Sequence, residues 1–117
     1  MGPLANLESR SWFLRELEQF EAGGVVPLVK SEALEGGAFV TPSIHQVETI
    51  DENATRYLGT EFFAPNLAVQ VVDDAGTAME ICRQSAFGLS MSVFSRDIAV
   101  FERFPQEVPC RLFNWIS

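Results

Sequence analysis

From Leu67 onward the chain alternates between two hydrophobic periods, and that alternation limits its fold more than any other feature. Residues 67–72 form a nearly continuous apolar run between Pro65 and the pair Asp73-Asp74, the pattern of a central strand covered on both faces. Asp73 or Asp74 can cap a following helix in which Ala75, Ala78, Met79 and Cys82 recur at i, i+3, i+4 and i+7, while Glu80, Arg83 and Gln84 face water. Gly88 marks its C-terminal turn. Residues 89–94 alternate as a second strand, Ser95-Arg96-Asp97 opens a short helix from Ile98 to Phe104 that Pro105 terminates, and residues 108–115 make a last strand. This order predicts an α/β fold, strands alternating with helices in a mixed or mostly parallel sheet with crossover connections.

Upstream, residues 1–24 hold a leading amphipathic helix, with Leu4, Leu7, Phe13, Leu14, Leu17 and Phe20 on one face and Gly23-Gly24 as its stop. A β-branched run over 25–30 leaves the helix as a strand, Pro27 marking an irregular or edge position. Glu35-Gly36-Gly37 signals a turn, and Ala38-Phe39-Val40-Thr41 reads as a strand halted near Pro42, which residues 43–48 could extend. Residues 49–59 are polar without alternation and read as a loop holding a single helical turn.

Sixteen acidic residues face eight basic ones, and the arginines are scattered, which argues against nucleic acid or an anionic membrane surface as partner. No stretch reaches the roughly 18–20 apolar residues of a membrane span, and the N-terminus has no basic flank with an apolar core, so a cytoplasmic location is expected. Cys82 and Cys110 lack CxxC spacing and neighbouring histidines, and are expected as buried thiols, with no metal site. His45, the lone histidine, reads as a packing or surface residue.

The segment Gly59-Thr60-Glu61-Phe62-Phe63-Ala64-Pro65 joins one carboxylate, two aromatics and a proline just ahead of a strand. Such a cluster suits a ligand-facing turn. The same residues also suit a solvated Glu61 with Phe62 and Phe63 plugging the core.

In their order, several segments resemble motifs of the aldehyde dehydrogenase superfamily. Glu61-Phe62-Phe63-Ala64-Pro65 resembles its Glu-x-Phe-Gly-Pro motif, and Asp73-Asp74 with Ala78-Met79 its strand-to-helix junction. Phe87-Gly88-Leu89-Ser90 and Val93-Phe94-Ser95-Arg96-Asp97 resemble its Tyr-Gly-Leu-Ser and Val-Phe-Thr-Arg-Asp segments, and Phe113-Asn114-Trp115 the strand after them. Residues 37–44 resemble the strand ending in Thr-Pro, and residues 24–35 are most similar to the succinylglutamate semialdehyde dehydrogenase branch. The resemblance implies that residues 1–117 are a single partial domain, the later part of a catalytic domain that oxidises an aldehyde to a carboxylic acid with NAD or NADP.

The resemblance further implies cofactor-binding roles for two residues. Glu61 would accept hydrogen bonds from the nicotinamide-side ribose hydroxyls, and Phe63 would pack beside them, with Pro65 holding the turn. Ala64 departs from the family's glycine. The family's mechanism needs a cysteine nucleophile and a water-activating glutamate, yet neither Cys82 nor Cys110 matches that nucleophile, and no catalytic residue is assigned. Gly23-Gly24 and Gly36-Gly37 lack the pattern of a phosphate loop. The expectation is therefore a fragment that is inactive and binds no cofactor by itself, and that meets the rest of its enzyme, or a second copy, through residues 67–72 and 112–116. Two alternatives stay open: a stand-alone small α/β interaction module derived from such an enzyme, and an unrelated ferredoxin-like domain with a closed core.

Overall fold

A computed structural model describes residues 1–116, which form two compact units, Met1–Val71 and a second beginning at Val72.

The first unit opens with helix α1, Leu7–Ala22. Asn6 caps it by accepting a hydrogen bond from the Ser9 amide at 2.7 Å. The helix starts one turn later than its apolar pattern suggested, because Leu4 is buried in extended chain whose amide bonds to Ala38. Phe13, Leu17 and Phe20 form the buried face, and the chain leaves through Gly24 at φ 110, a conformation open to glycine at little cost.

Strand β1 (Val26–Val29) pairs antiparallel with β2 (Ser43–Gln46), and the register slips between Pro27 and Val29, where the proline marked an irregular edge. Strand β2 then pairs in parallel with β3 (Asn66–Val69), giving the order β1-β2-β3. The strand expected at 38–41 reduces to one bridge, Ala33 with Val40, and the true strand begins only after Pro42, which has no N–H to offer a ladder. Between β2 and β3 lies α2, Glu52–Leu58, two turns of helix where a loop with a single helical turn was expected. Asp51 caps it through the Ala54 amide at 2.8 Å, and Ala54 and Tyr57 are its buried stripe.

Strand β3 overturns a further expectation. It is an edge strand rather than a central one, because β2 takes the middle position, and it is not covered on both faces: Leu67 is 56% exposed, Ala68 is exposed beside it, and Val71, just past the strand, is 79% exposed. The core of this unit lies instead between α1, α2 and the inner side of the sheet, around Phe13, Leu17, Phe20, Val25, Val47 and Tyr57.

The second unit packs α3 (Ala75–Gln84) and α4 (Ile98–Glu107) against the parallel pair β4 (Ser90–Phe94) and β5 (Leu112–Ile116). Asp74 caps α3, and Met79 is fully buried with Ala75, Ala78 and Cys82 beside it, as the periodicity predicts. The helix stops at Ser85, short of Gly88. Gly88 serves a different need: a Cβ there would stand 3.1 Å from the Pro109 carbonyl, and the Gly88 carbonyl accepts from the Arg111 amide at 2.9 Å. Helix α4 runs through Pro105 rather than ending at it, since Phe104 and Val108 are buried and bond to each other across the last turn, Val108 N to Phe104 O, at 2.8 Å. Val108 thereby belongs to the helix end, and the last strand begins later than expected. Cys82 and Cys110 are half-buried free thiols, not fully buried ones.

Candidate functional site

The turn between α2 and β3 is built by opposed demands on adjacent residues. Its entry is tied down by the Thr60 amide to the Tyr57 carbonyl at 3.1 Å and by the Thr60 hydroxyl to the Arg56 carbonyl at 2.7 Å. Its exit is tied by the Ser43 amide to the Pro65 carbonyl at 2.9 Å, which joins it to β2. Between them Phe62 turns inward, its ring 5.6 Å from Phe13, 5.8 Å from Tyr57, 5.9 Å from Trp12 and 6.1 Å from Phe20. Edge-on and tilted aromatic contacts of this kind are favourable beyond the area they bury.

Driving Phe62 into that cluster leaves its neighbours outside. Glu61 is exposed and has no ion-pair partner among the described residues. Phe63 is 83% exposed, and at φ 49 it is the one non-glycine residue with positive φ among the described residues. A bulky side chain in that region carries strain of about 1–3 kcal/mol, and such strain gathers at ligand-facing segments. Of the two aromatics that the alternative reading placed in the core, Phe62 packs there and Phe63 does not.

Behind the turn lies a polar network that the sequence reading left out. Asn66, the first residue of β3, donates through Nδ2 to the Tyr57 hydroxyl at 2.8 Å. Its Oδ1 accepts from the Ser43 hydroxyl at 3.0 Å and faces His45 Nδ1 at 2.9 Å. His45 is fully buried, and its Nε2 lies 2.9 Å from Glu21 Oε1, while the other Glu21 oxygen pairs with Lys30 at 2.9 Å. Both ring nitrogens thus face oxygens, and the isolated histidine proves to be a buried hydrogen-bonding hub. The legible signal was its place in Ser43-Ile44-His45-Gln46-Val47, where Ser43, His45 and Val47 share one buried face. Burial pushes the Glu21 carboxyl up, but hydrogen bonds from His45 and Lys30 outweigh it and hold the group below the usual range. Burial also raises the Tyr57 phenol, against the lowering by its Asn66 bond, so the hydroxyl stays protonated.

The remaining candidates are plain. Burial raises the Cys82 thiol, which reduces its thiolate fraction and so its nucleophilicity. Among the described residues no group of His, Cys, Asp and Glu could hold a metal ion, and no helix is long and apolar enough to cross a membrane. Chemically, the turn offers an acceptor-only carboxylate beside an exposed aromatic face, a pairing that can take a polyol through one residue and a ring through the other.

Comparison with known proteins agrees with the motif order. Residues 1–113 match the model of the aldehyde dehydrogenase family. The chain is 28% identical over 111 residues to succinate semialdehyde dehydrogenase [NAD(P)+] of Escherichia coli, covering 94% of this chain and 23% of that protein. It is 29% identical over 114 residues to N-succinylglutamate 5-semialdehyde dehydrogenase of Vibrio cholerae, covering 97% of this chain and 22% of that protein. Its fold matches a Mycobacterium tuberculosis aldehyde dehydrogenase complexed with NAD+ at a TM-score of 0.81 and 23% identity, over 98% of this chain and 24% of the other. The chain thus spans less than a quarter of the length of these relatives. With nearly all of its residues inside the family match and its fold superposing on a family structure, this chain belongs to the aldehyde dehydrogenase family.

Proposed function

We propose that the chain is a segment of the catalytic domain of an NAD(P)-dependent aldehyde dehydrogenase that oxidises an acidic semialdehyde, of the succinylglutamate semialdehyde kind, to its carboxylic acid. The observation that carries the reading is the outward presentation of Glu61 and Phe63 on either side of Phe62, which is half-buried in the aromatic cluster. The dinucleotide supplies a hydride acceptor when bound. Glu61 accepts hydrogen bonds from adjacent ribose hydroxyls, and Phe63 gives the nicotinamide side of the cofactor an apolar wall. The acidic substrate class is supported by the names of the Escherichia coli and Vibrio cholerae relatives.

Alone, the chain turns over no aldehyde, since neither cysteine stands in a nucleophile motif, and holds no cofactor, since neither glycine pair stands in a phosphate-loop pattern. Its partners are the remainder of the enzyme or a second copy, met through exposed apolar residues such as Leu67 and Val71 in the first unit and Leu112 and Ile116 in the second. A cytoplasmic location belongs to the same proposal.

Fragment complementation tests it. The purified chain with NAD or NADP and succinylglutamate semialdehyde should show no turnover above blank, and mixing it with the Vibrio cholerae relative lacking the matched segment should restore oxidation. In that mixture Glu61→Gln should lower kcat/KM by about tenfold to a hundredfold, the worth of a charge-assisted hydrogen bond. Turnover by the chain alone overturns the fragment reading, and full rescue by Glu61→Gln overturns the cofactor role.

A further inference from the structure

The ends of the 59–65 turn are joined side chain to side chain. Tyr57, in the last turn of α2, and Asn66, at the head of β3, meet at 2.8 Å across its mouth. Neither end is free to shift on its own. The Tyr57 ring packs edge-on against Phe20 and beside Phe62, so its hydroxyl is aimed by the aromatic cluster. Asn66 is oriented from the opposite side by Ser43 and His45, and His45 is set in turn by Glu21 at the end of α1.

Packing alone would not hold the turn in this shape. The Phe62 ring sets the depth of the turn in the core, but apolar contact is not directional, and it leaves the separation of the two ends unfixed. A residue such as Phe63, held at φ 49, keeps that conformation only where the surroundings over-determine it. A directional hydrogen bond across the mouth, part-buried and backed by a network that leaves no buried side-chain polar atom without a partner among the described residues, supplies the missing constraint.

We propose that Tyr57, Asn66 and His45 are positioning residues for the turn: a part-buried side-chain staple closes its mouth and fixes the outward direction of Glu61 and Phe63. The role rests on the cofactor-facing reading of those two residues. The staple acts through the backbone and touches neither substrate nor cofactor.

The test is the backbone order of the turn in the full chain without cofactor, read from ¹⁵N order parameters of residues 60–64 with α1 as internal reference. The native turn should be rigid, at about 0.85, and Tyr57→Phe, which keeps the ring and removes only the hydroxyl, should drop it below about 0.6 while α1 is unchanged. Asn66→Leu should do the same. Asn66→Asp should restore order, because a carboxylate still accepts from Ser43, His45 and the Tyr57 hydroxyl. A turn as rigid in Tyr57→Phe as in the native chain overturns the staple, and so does equal loosening of turn and α1, the sign of a merely structural role. Failure of the cofactor reading appears elsewhere, as full complementation by Glu61→Gln.

Discussion

Replacing Phe62 with alanine removes a ring that meets four aromatic neighbours, whereas the same change at Phe63 removes a ring that is 83% exposed. A fully buried phenylalanine truncated to alanine costs about 3–5 kcal/mol, and Phe62 is only half-buried, so its substitution should cost about 3 kcal/mol. Phe63→Ala should stay within about 0.5 kcal/mol, the range of exposed positions. Urea unfolding followed by far-UV circular dichroism separates the two. With a slope of about 1–2 kcal/mol per molar, Phe62→Ala should move the midpoint of its unit down by about 2 M and Phe63→Ala by a small fraction of that. Equal shifts for these adjacent, chemically identical residues, or a larger one at Phe63, would refute the inward and outward assignment on which the site is built.

Two further outcomes follow from titratable groups. Glu21 has a native pKa below its unfolded value, so it contributes stability that is fully present above the unfolded value and is lost as pH falls through the native one. Acid titration of thermal stability should therefore show a decline at and below the ordinary glutamate range that is shallower in Glu21→Gln. In the second unit the raised Cys82 thiol should react with iodoacetamide several times more slowly in the native chain than in urea at neutral pH, and equal rates would contradict its burial on α3.

Legibility in the sequence followed the length of each periodic segment. Helix α3 was readable because Ala75, Ala78, Met79 and Cys82 repeat cleanly over its length, and α1 because two glycines end it. Helix α2 was read short, as a single turn in a loop, because seven residues are too few for periodicity, although Asp51 with Ala54 and Tyr57 held a cap and a stripe. Strand β3 was misplaced for a different reason. A run of apolar residues reads as doubly covered, but which strand stands in the middle is decided by tertiary pairing, and the exposure of Leu67 and Val71 has no local signature. At the site, the motif order singled out Glu61 and Phe63, while the network behind them joins residues from α1, β2, α2 and β3 that no short window brings together.

The parallel pairing of β2 with β3 also orders events in time. Ser43 pairs with Asn66, and the side-chain bond between them spans 23 residues of chain. The Asp51 cap can form within α2, but the Ser43 amide to Pro65 and the Ser43 and His45 bonds to Asn66 exist only once the crossover has closed. Closing such a loop is an entropic step that precedes the contacts it permits. The 59–65 turn should thus fold late: α2 can flicker into place early, whereas the direction in which Glu61 and Phe63 point is set when the first unit completes its sheet.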